Sequence, residues 1–343
     1  MLALYERFCG KENLQLAYEK ARRGKTNNPR VKEFSEHWRH NLALLRWELQ
    51  TWAYRPRPLR RFVLRDPKTR LISVSDFRDR VVHHALVNIL QPIFEPRFIS
   101  DSYASRKGKG ALTAVLRFER FQREASRNNT WRCFVLKADI RHYFDTVDHD
   151  VLIALLRRRV DDERVLSLAH LILDNHPTEK AGKGMPLGNW TSQFFANVYL
   201  DELDQYVKHT LKAKHYLRYV DDFVIIHNNK SVLADHQKRI GEFLEERLKL
   251  ALHPDKCRII PAASGVPLLG YRVYPRHRLL RTKNIRSITR KLGMMVEARA
   301  IGETTIGEIL DTFQGWSSYA KHANTYRLRE RLAKSLEKAE EPS

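Results

Sequence analysis

Hydrophobic positions recur at helical spacing through the first part of the chain. Between residues 11 and 52 leucines and aromatic residues return every three to four positions, which predicts helices. The basic, proline-punctuated stretch YRPRPLRR ends this region, and RRFVLRDPKTRLISV then alternates around Asp66-Pro67 as a hairpin with a basic tip would. A further helical pattern covers 78–98, and another runs from the end of the loop SYASRKGKG (102–110) to about residue 126. Helical patterns also cover 148–160 and 162–174.

Short apolar runs in the second half predict strands with acidic ends. CFVLKADI (133–140) is a buried-strand pattern that ends at Asp139, and HYLRYV and FVIIH flank Asp221 and Asp222. Aspartate is a poor strand residue but common in tight turns, so both are expected at a hairpin tip. A glycine-rich AGKGMPLGN opens the helix TSQFFANVYLDELDQYVKH; a helix at 231–250, a strand pair around 256–275 and a basic helical C-terminus follow. The pattern predicts an α+β fold.

The three aspartates suggest a metal site. If the strand that ends at Asp139 lies beside the hairpin of Asp221 and Asp222, three carboxylates converge at one end of a sheet. Such a group can hold two Mg²⁺ ions about 3.5–4 Å apart, which activate a hydroxyl and stabilise a leaving pyrophosphate. The alternative is a solvated turn, since a lone pair of aspartates between two strands is usually no more than that.

Composition favours a polyanionic partner. The 343 residues contain 62 Lys and Arg against 40 Asp and Glu, a formal charge of +22, which points to nucleic acid, although solubility alone is the other explanation. Three scattered cysteines and fifteen histidines form no metal-ligand spacing. Neither a membrane span nor a secretory signal is expected, and we predict a cytoplasmic protein that associates with no membrane.

The acidic hairpin and the strand before it resemble known motifs. YVDD between apolar flanks resembles the palm hairpin of reverse transcriptases, and ADIRHYFDTVDHDVL (138–152) is similar to their first palm motif. The resemblance implies that Asp139, Asp221 and Asp222 are catalytic and, with the Ile140 carbonyl, hold two Mg²⁺ ions, with Mn²⁺ as a substitute. Phe144 takes the position of the bulky residue that excludes a 2′-hydroxyl. Other blocks that match in order are 61–86, 93–115, 247–259, 266–275 and 313–332.

The resemblance also implies a right-hand polymerase, with an antiparallel palm sheet that carries the aspartates. We expect a helical extension at 1–54, fingers at 55–132, a palm at 133–275 (with fingers-side helices at about 150–187) and a basic helical thumb at 276–343. Substrates would be template RNA, a cDNA primer strand and dNTPs. Implied nucleotide-binding residues are Lys68, Arg70, Phe144, Leu187, Gly188, Gln193 and Lys256, and implied template–primer residues are Tyr219, Gly270, Tyr271, Trp316 and Lys321.

One palm motif departs from the common pattern. Most reverse transcriptases carry Gln-Gly-x-x-x-Ser-Pro, whereas this chain has Leu187-Gly188-Asn-Trp-Thr-Ser192-Gln193. This version resembles the enzymes of diversity-generating retroelements, encoded by bacteria and phages. Those enzymes copy a template-repeat RNA with errors opposite adenine (mutagenic retrohoming), and they act with a small, basic, pentameric accessory protein. Enzymes of group II intron or retron type, and a catalytically inactive RNA-binding scaffold, are the alternatives.

The side-chain chemistry of Leu187 suggests an effect on base selection. Leucine offers shape but no hydrogen-bonding group beside a nascent base pair, where glutamine offers an amide. Lost discrimination of this kind is worth about 1–3 kcal/mol. We therefore expect Leu187, with Arg70 on the fingers, to loosen selection opposite adenine; simple packing is the other reading of the residue.

Overall fold

Four helices open the chain in a computed structural model that describes residues 3–65, 69–178 and 180–338. Leu14, Ala17, Tyr18 and Ala21 form the buried stripe of the second helix, as its helical spacing predicts. Asn28 begins the third by accepting a hydrogen bond from the Arg30 N–H. These helices confirm the pattern over 11–52; they are α1 (Leu4–Phe8), α2 (Lys11–Arg22), α3 (Pro29–Glu36) and α4 (Trp38–Gln50).

A two-stranded hairpin follows the helices. β1 (Arg60–Leu64) and β2 (Arg70–Val74) pair antiparallel, with Leu64 opposite Arg70, which confirms the predicted hairpin. Lys68, predicted to bind nucleotide near its tip, lies outside the described residues. α5 (Phe77–Phe94) begins at the Asp76 cap, ends in the 3-10 turn Glu95–Arg97, and precedes α6 (Ala111–Ala125).

A four-stranded sheet carries the predicted acidic residues. Its strands lie in the order β4-β5-β3-β6, so β3 and β5 are neighbours, as the metal-site hypothesis requires. The strands are β3 (Phe134–Asp139), β4 (His215–Tyr219), β5 (Asp222–His227) and β6 (Arg258–Pro261). The helices of this region are α7 (Tyr143–Thr146), α8 (His149–Arg157), α9 (Glu163–Asp174), α10 (Trp190–Gln205, continued by the π-helical turn Tyr206–Thr210) and α11 (Lys230–Leu248).

The C-terminal part contains a second small sheet and three helices. The strand pair predicted around 256–275 is present at 266–273, but the prediction missed two further strands of this region. β6 joins the four-stranded sheet, and the pair belongs to a three-stranded antiparallel sheet whose strands of three residues are too short to show a period in the sequence. The elements are β7 (Val266–Leu268), β8 (Tyr271–Val273), β9 (Arg278–Leu280), α12 (Thr282–Ala300), α13 (Ile306–Ala320) and α14 (Tyr326–Lys338). The helices share a buried core of Ile288, Leu292, Ile309, Leu332 and Leu336.

The chain divides into two compact units. The first contains the residues up to Gly110, Lys137–Ile225 and Ala234–Arg258, and the second contains Ala111–Leu136, Ile226–Leu233 and the residues from Ile259 onward. The limits of fingers, palm and thumb stay predictions. Within the described ranges, no helix is long and apolar enough to cross a membrane.

Candidate active site

The turn between β4 and β5 consists of Val220 and Asp221. Asp222 is already the first residue of β5, so the prediction that both aspartates form the tip is wrong by one residue. The reason is pairing with the neighbouring strand, because the Ile140 N–H donates to the Asp221 carbonyl over 3.3 Å at the start of β5. The backbone of Val220 is left-handed, with φ of 56°.

Asp139 is fixed at the end of β3 by backbone bonds on its other side. Its carbonyl accepts from the His253 N–H at 2.8 Å, and the next residue, Ile140, forms an antiparallel bridge with Leu252. The bond from Ile140 to Asp221 then brings the end of β3 to the turn. Asp139, Asp221 and Asp222 therefore meet at one end of the sheet, although Asp139 and Asp222 are 83 positions apart in the sequence.

The convergence has an electrostatic cost at Asp221. Burial, and then the negative charges of Asp222 and Asp139, raise the pKa of Asp221 to about 6. Two lysines form ion pairs with the other two carboxylates: Lys256 Nζ is 3.0 Å from Asp139 Oδ1, and Lys137 Nζ is 2.8 Å from Asp222 Oδ1. Sequence reasoning missed Lys137, although its position two residues before Asp139 placed both side chains on one face of β3.

The carboxylates have the chemistry of a hard-cation site. In the parts of the chain that the structure describes, no three Asp, Glu, His or Cys side chains are arranged as a ready-made metal-ligand set. The donors at the sheet end are nevertheless carboxylate oxygens, the ligands that Mg²⁺ prefers. A divalent cation would also relieve the repulsion that raises the pKa of Asp221.

Phe144 lies just beyond β3, in the short helix α7. Its side chain is half-buried, and its carbonyl accepts from the Met185 N–H at 2.7 Å. Gly184 packs closely here, since a Cβ on it would lie 3.4 Å from the Phe144 carbonyl oxygen. These contacts join the α7 segment to the glycine-rich loop before α10.

The same loop contacts the hairpin at its other end. The Ser73 N–H of β2 donates to the Leu187 carbonyl at 3.1 Å, and the Ser75 N–H donates to Asn189 Oδ1 at 3.3 Å. Between them Gly188 has φ of +119°, and a Cβ there would lie 3.3 Å from the Ser73 carbonyl oxygen. The positive φ and the close approach to β2 therefore explain why a glycine occupies position 188. Leu187 is half-buried in this loop, and its carbonyl is bonded to β2, the strand that begins at the exposed Arg70.

Two further predicted site residues lie in the same unit. Gln193, in the first turn of α10, is exposed and accepts a hydrogen bond of 2.9 Å from the Ser105 hydroxyl. Tyr219 is half-buried at the end of β4, directly before the turn. The sheet end, the loop around Leu187 and β2 thus belong to one compact unit, as does Lys256.

The remaining predicted template–primer residues lie in the second unit. Gly270 has φ of +93°, and a Cβ there would collide with the Tyr319 hydroxyl. Tyr271 is 1% exposed and donates to the Tyr319 carbonyl at 3.3 Å, which gives it a packing role. Trp316 packs on the helical core, and Lys321 is exposed after α13. Contact of these residues with nucleic acid stays a prediction.

Comparison with known proteins decides the family. Residues 65–273 match the family described as reverse transcriptase (RNA-dependent DNA polymerase). The chain belongs to the reverse transcriptase family. Reverse transcriptases are RNA-directed DNA polymerases that use divalent metal ions, so the predicted enzyme class is confirmed.

The relatives of this chain include a protein of Escherichia coli and a protein encoded by a group II intron. Protein YkfC of Escherichia coli is 29% identical over 271 residues, 68% of this chain and 71% of that protein. The group II intron-encoded protein LtrA of Lactococcus lactis is 28% identical over 225 residues, 62% of this chain. The match spans only 36% of LtrA, so the activities of that whole protein do not transfer directly.

A solved structure confirms the fold. Telomerase from Candida albicans, solved with a fragment of telomeric RNA, superposes with a TM-score of 0.51 at 12% identity. The match covers 82% of this chain and 54% of that one. At this identity the likeness concerns the fold alone, and it confirms the predicted α+β right-hand polymerase fold.

Proposed function

We propose that this reverse transcriptase copies a template-repeat RNA into cDNA with errors opposite adenine, at a site built on Asp139, Asp221 and Asp222. The observation that supports the site is the junction of β3 and the β4–β5 turn, where the Ile140 N–H meets the Asp221 carbonyl at 3.3 Å. These residues are far apart in the sequence, and nothing in an ordinary solvated turn requires their convergence.

The proposed metal ligands are the three carboxylates and the Ile140 carbonyl. Hydrogen-bonding groups of one strand residue point to the same side, and the Ile140 N–H points to Asp221, so the Ile140 carbonyl shares that side. Two Mg²⁺ ions bound there, or Mn²⁺ in their place, would activate the primer 3′-hydroxyl and stabilise the leaving pyrophosphate. Lys137 and Lys256 hold Asp222 and Asp139 in position at the sheet end.

Basic and aromatic residues complete the nucleotide site in this proposal. Arg70 on β2, together with Lys68, which lies outside the described residues, neutralises the incoming triphosphate through charge-assisted hydrogen bonds. Phe144 excludes the 2′-hydroxyl of a ribonucleotide, and Gln193 lies in the first turn of α10, beside the loop. Tyr219 in the first unit, and Gly270, Trp316 and Lys321 in the second, are the proposed template–primer residues, whereas Tyr271 is buried and has a packing role.

The error-prone subtype is supported by the loop before α10. Leu187 stands where glutamine is usual, and its carbonyl is bonded to β2, the strand that also carries Arg70. Gly188 packs against the same strand through Ile72. A change in shape or hydrogen bonding at Leu187 is therefore coupled directly to the fingers hairpin. A small, basic, pentameric accessory protein is the proposed protein partner.

Sequencing of cDNA made on an adenine-rich RNA template tests the subtype. Leu187→Gln should lower misincorporation opposite adenine by about tenfold or more, because the glutamine amide restores hydrogen-bonded selection. Leu187→Met, which keeps the apolar shape, is the matched control and should keep the wild-type spectrum. An unchanged spectrum in Leu187→Gln would remove Leu187 from the explanation.

An intron-type reverse transcriptase is the second candidate. Similarity to LtrA, a group II intron-encoded protein, favours it. The DNA beside the gene separates the two candidates: a pair of repeats that differ mainly at adenines supports the retroelement, whereas flanking intron RNA domains support the intron type.

A further inference from the structure

The catalytic turn is preceded by a fully buried ion pair. Arg218 of β4 and Asp204 of α10 both have completely buried side chains. Arg218 Nε is 2.8 Å from Asp204 Oδ1, and Nη2 is 2.6 Å from Oδ2, so the pair is bidentate. The Tyr216 hydroxyl donates to Asp204 Oδ1 at 2.6 Å.

The remaining N–H groups of Arg218 also have acceptors. Nη2 donates to Ser102 Oγ at 3.2 Å, and Nη1 donates to Asn197 Oδ1 at 3.3 Å. The last bond, from Nη1, goes to the Val220 carbonyl at 3.0 Å. All five donors of the guanidinium are therefore used, and one of them holds the backbone of the turn.

Val220 is a residue that needs such support. It is β-branched, and its φ of 56° lies in the left-handed region that branched side chains avoid. A strained backbone of this kind persists only when the surrounding structure holds it. The Val220 carbonyl belongs to the peptide that leads into Asp221, so its orientation sets the position of the aspartate.

We propose that Arg218 is a positioning residue for the catalytic aspartates: oriented by Asp204, it holds the Val220 carbonyl and thereby the strained turn that carries Asp221 and Asp222. The inference rests on the proposed metal role of these aspartates. It assigns Arg218 no contact with substrate or metal, because its five hydrogen bonds all go to protein acceptors.

The same network extends to neighbouring segments. Asn197, which accepts from Arg218, donates through Nδ2 to the Ala104 carbonyl at 2.9 Å. Ser102 forms a parallel bridge with Arg218, so residues around it run along the outer edge of β4. Arg218 thus couples the turn to α10 and to the loop that also bonds Gln193 through Ser105.

Arg218→Lys tests the positioning role. Lysine keeps the charge beside Asp204 but has one nitrogen, which cannot span both Asp204 and the Val220 carbonyl as the planar fork does. Tyr216→Phe is the matched control, because it removes a buried hydrogen bond to Asp204 without touching the turn. Binding of Mn²⁺ to the intact protein, measured by the loss of the free-ion EPR signal, is the first readout.

We expect Arg218→Lys to weaken Mn²⁺ binding about tenfold and to lower kcat for primer extension more than tenfold, with the Kd for template–primer changed less than about twofold. Tyr216→Phe should change Mn²⁺ affinity and kcat less than about twofold. Equal effects in the two variants, or a loss in Arg218→Lys that follows thermal stability alone, would overturn the inference.

Glycine at Val220 provides a rescue test. Glycine adopts φ of 56° without strain, so the turn would depend less on the arginine. The double variant Arg218→Lys/Val220→Gly should regain at least about a third of the kcat that Arg218→Lys loses, and no recovery contradicts the proposal. If wild-type protein neither binds Mn²⁺ nor extends primers, the proposed function itself fails; if wild-type does both and Arg218→Lys matches it, only the inference fails.

Discussion

At the scale of single residues, Asp221 has a cost in stability that its proposed role as a metal ligand accounts for. Burial and the charges of Asp222 and Asp139 raise its pKa to about 6, so the folded state holds this proton more tightly than the unfolded chain does. Between the ordinary aspartate pKa and pH 6, folding takes up a proton, and stability falls as pH rises through this window. Above pH 6 the ionised Asp221 destabilises the metal-free protein.

Replacement of Asp221 should therefore stabilise the protein while it removes activity. In EDTA at pH 7.5, Asp221→Asn should raise the free energy of unfolding by about 1–3 kcal/mol, since each pKa unit is worth about 1.4 kcal/mol. The gain should shrink as the pH is lowered toward 4. Denaturant unfolding at several pH values measures it. Asp235→Asn, at an exposed aspartate of α11, is the control and should stay within about 0.5 kcal/mol. A destabilised Asp221→Asn protein at pH 7.5 would contradict this account.

Phe144 gives a second prediction at this scale. If its side chain excludes the 2′-hydroxyl, Phe144→Ala should increase ribonucleotide incorporation relative to deoxynucleotide by about 10- to 200-fold, the range for a small steric difference in a pocket. Single-nucleotide extension with rNTP and dNTP measures the ratio. Phe144→Tyr keeps the bulk and should keep the discrimination. An unchanged ratio in Phe144→Ala would leave Phe144 a packing residue only.

At the scale of elements, the loop before α10 joins the α7 segment to the β1–β2 hairpin. Gly188 lies at its contact with β2, with φ of +119° and a Cβ position 3.2 Å from Ile72 Cγ2. Gly182 in the same loop also has positive φ, +71°, but open space around its Cβ position. A comparison of substitutions at Gly182 and Gly188 therefore separates the cost of backbone strain from the cost of disturbing the contact with the hairpin.

Gly188→Ala should consequently cost more than Gly182→Ala. We expect about 1–3 kcal/mol of lost stability for Gly188→Ala, from strain and from displacement of β2, and about 1 kcal/mol for Gly182→Ala from strain alone. Thermal and denaturant unfolding measure both. Primer extension should fall only in Gly188→Ala, because only that change moves the loop away from the hairpin. Equal costs would contradict the role of the contact.

The elements also indicate what the sequence could and could not predict. Helical and alternating patterns predicted the α+β fold and the β1–β2 hairpin, because the burial of each element follows a regular period. The adjacency of β3 and β5 was a condition of the metal-site hypothesis, since periodicity within a strand does not give the order of strands in a sheet. The exact turn was missed: two aspartates favour a turn by composition, but pairing with β3 draws Asp222 into β5.

Hydrophobic periodicity along the sequence does not predict polar contacts between residues on different elements. The pairing of Arg218 with Asp204 joins residues on different elements, and neither side chain has a pattern that names its partner. An arginine within the apolar run YLRYV was the available signal, since a buried guanidinium requires a counter-ion. The contacts of Ser73 and Ser75 with the loop before α10 had no signal in the sequence at all.

At the scale of the whole molecule, the charge of +22 should dominate binding of template and primer. If about 6–10 phosphates are contacted, affinity should fall by about 10³–10⁵ between 50 and 200 mM salt. Lys321→Ala removes one exposed charge after α13 and should reduce the slope of log Kd against log salt by about one. Fluorescence anisotropy with a labelled RNA–DNA hybrid measures it, and a flat salt profile would contradict a phosphate-binding groove.

Primer extension on an RNA template with Mg²⁺ tests most directly whether Asp139, Asp221 and Asp222 form one polymerase site. We expect cDNA synthesis by the wild-type protein and a loss of at least about 10³-fold, about 4 kcal/mol in activation free energy, in Asp139→Asn and in Asp222→Asn, with template–primer binding retained. Synthesis at the wild-type rate by either variant, or no cDNA from folded, RNA-binding wild-type protein under any priming condition, would contradict it.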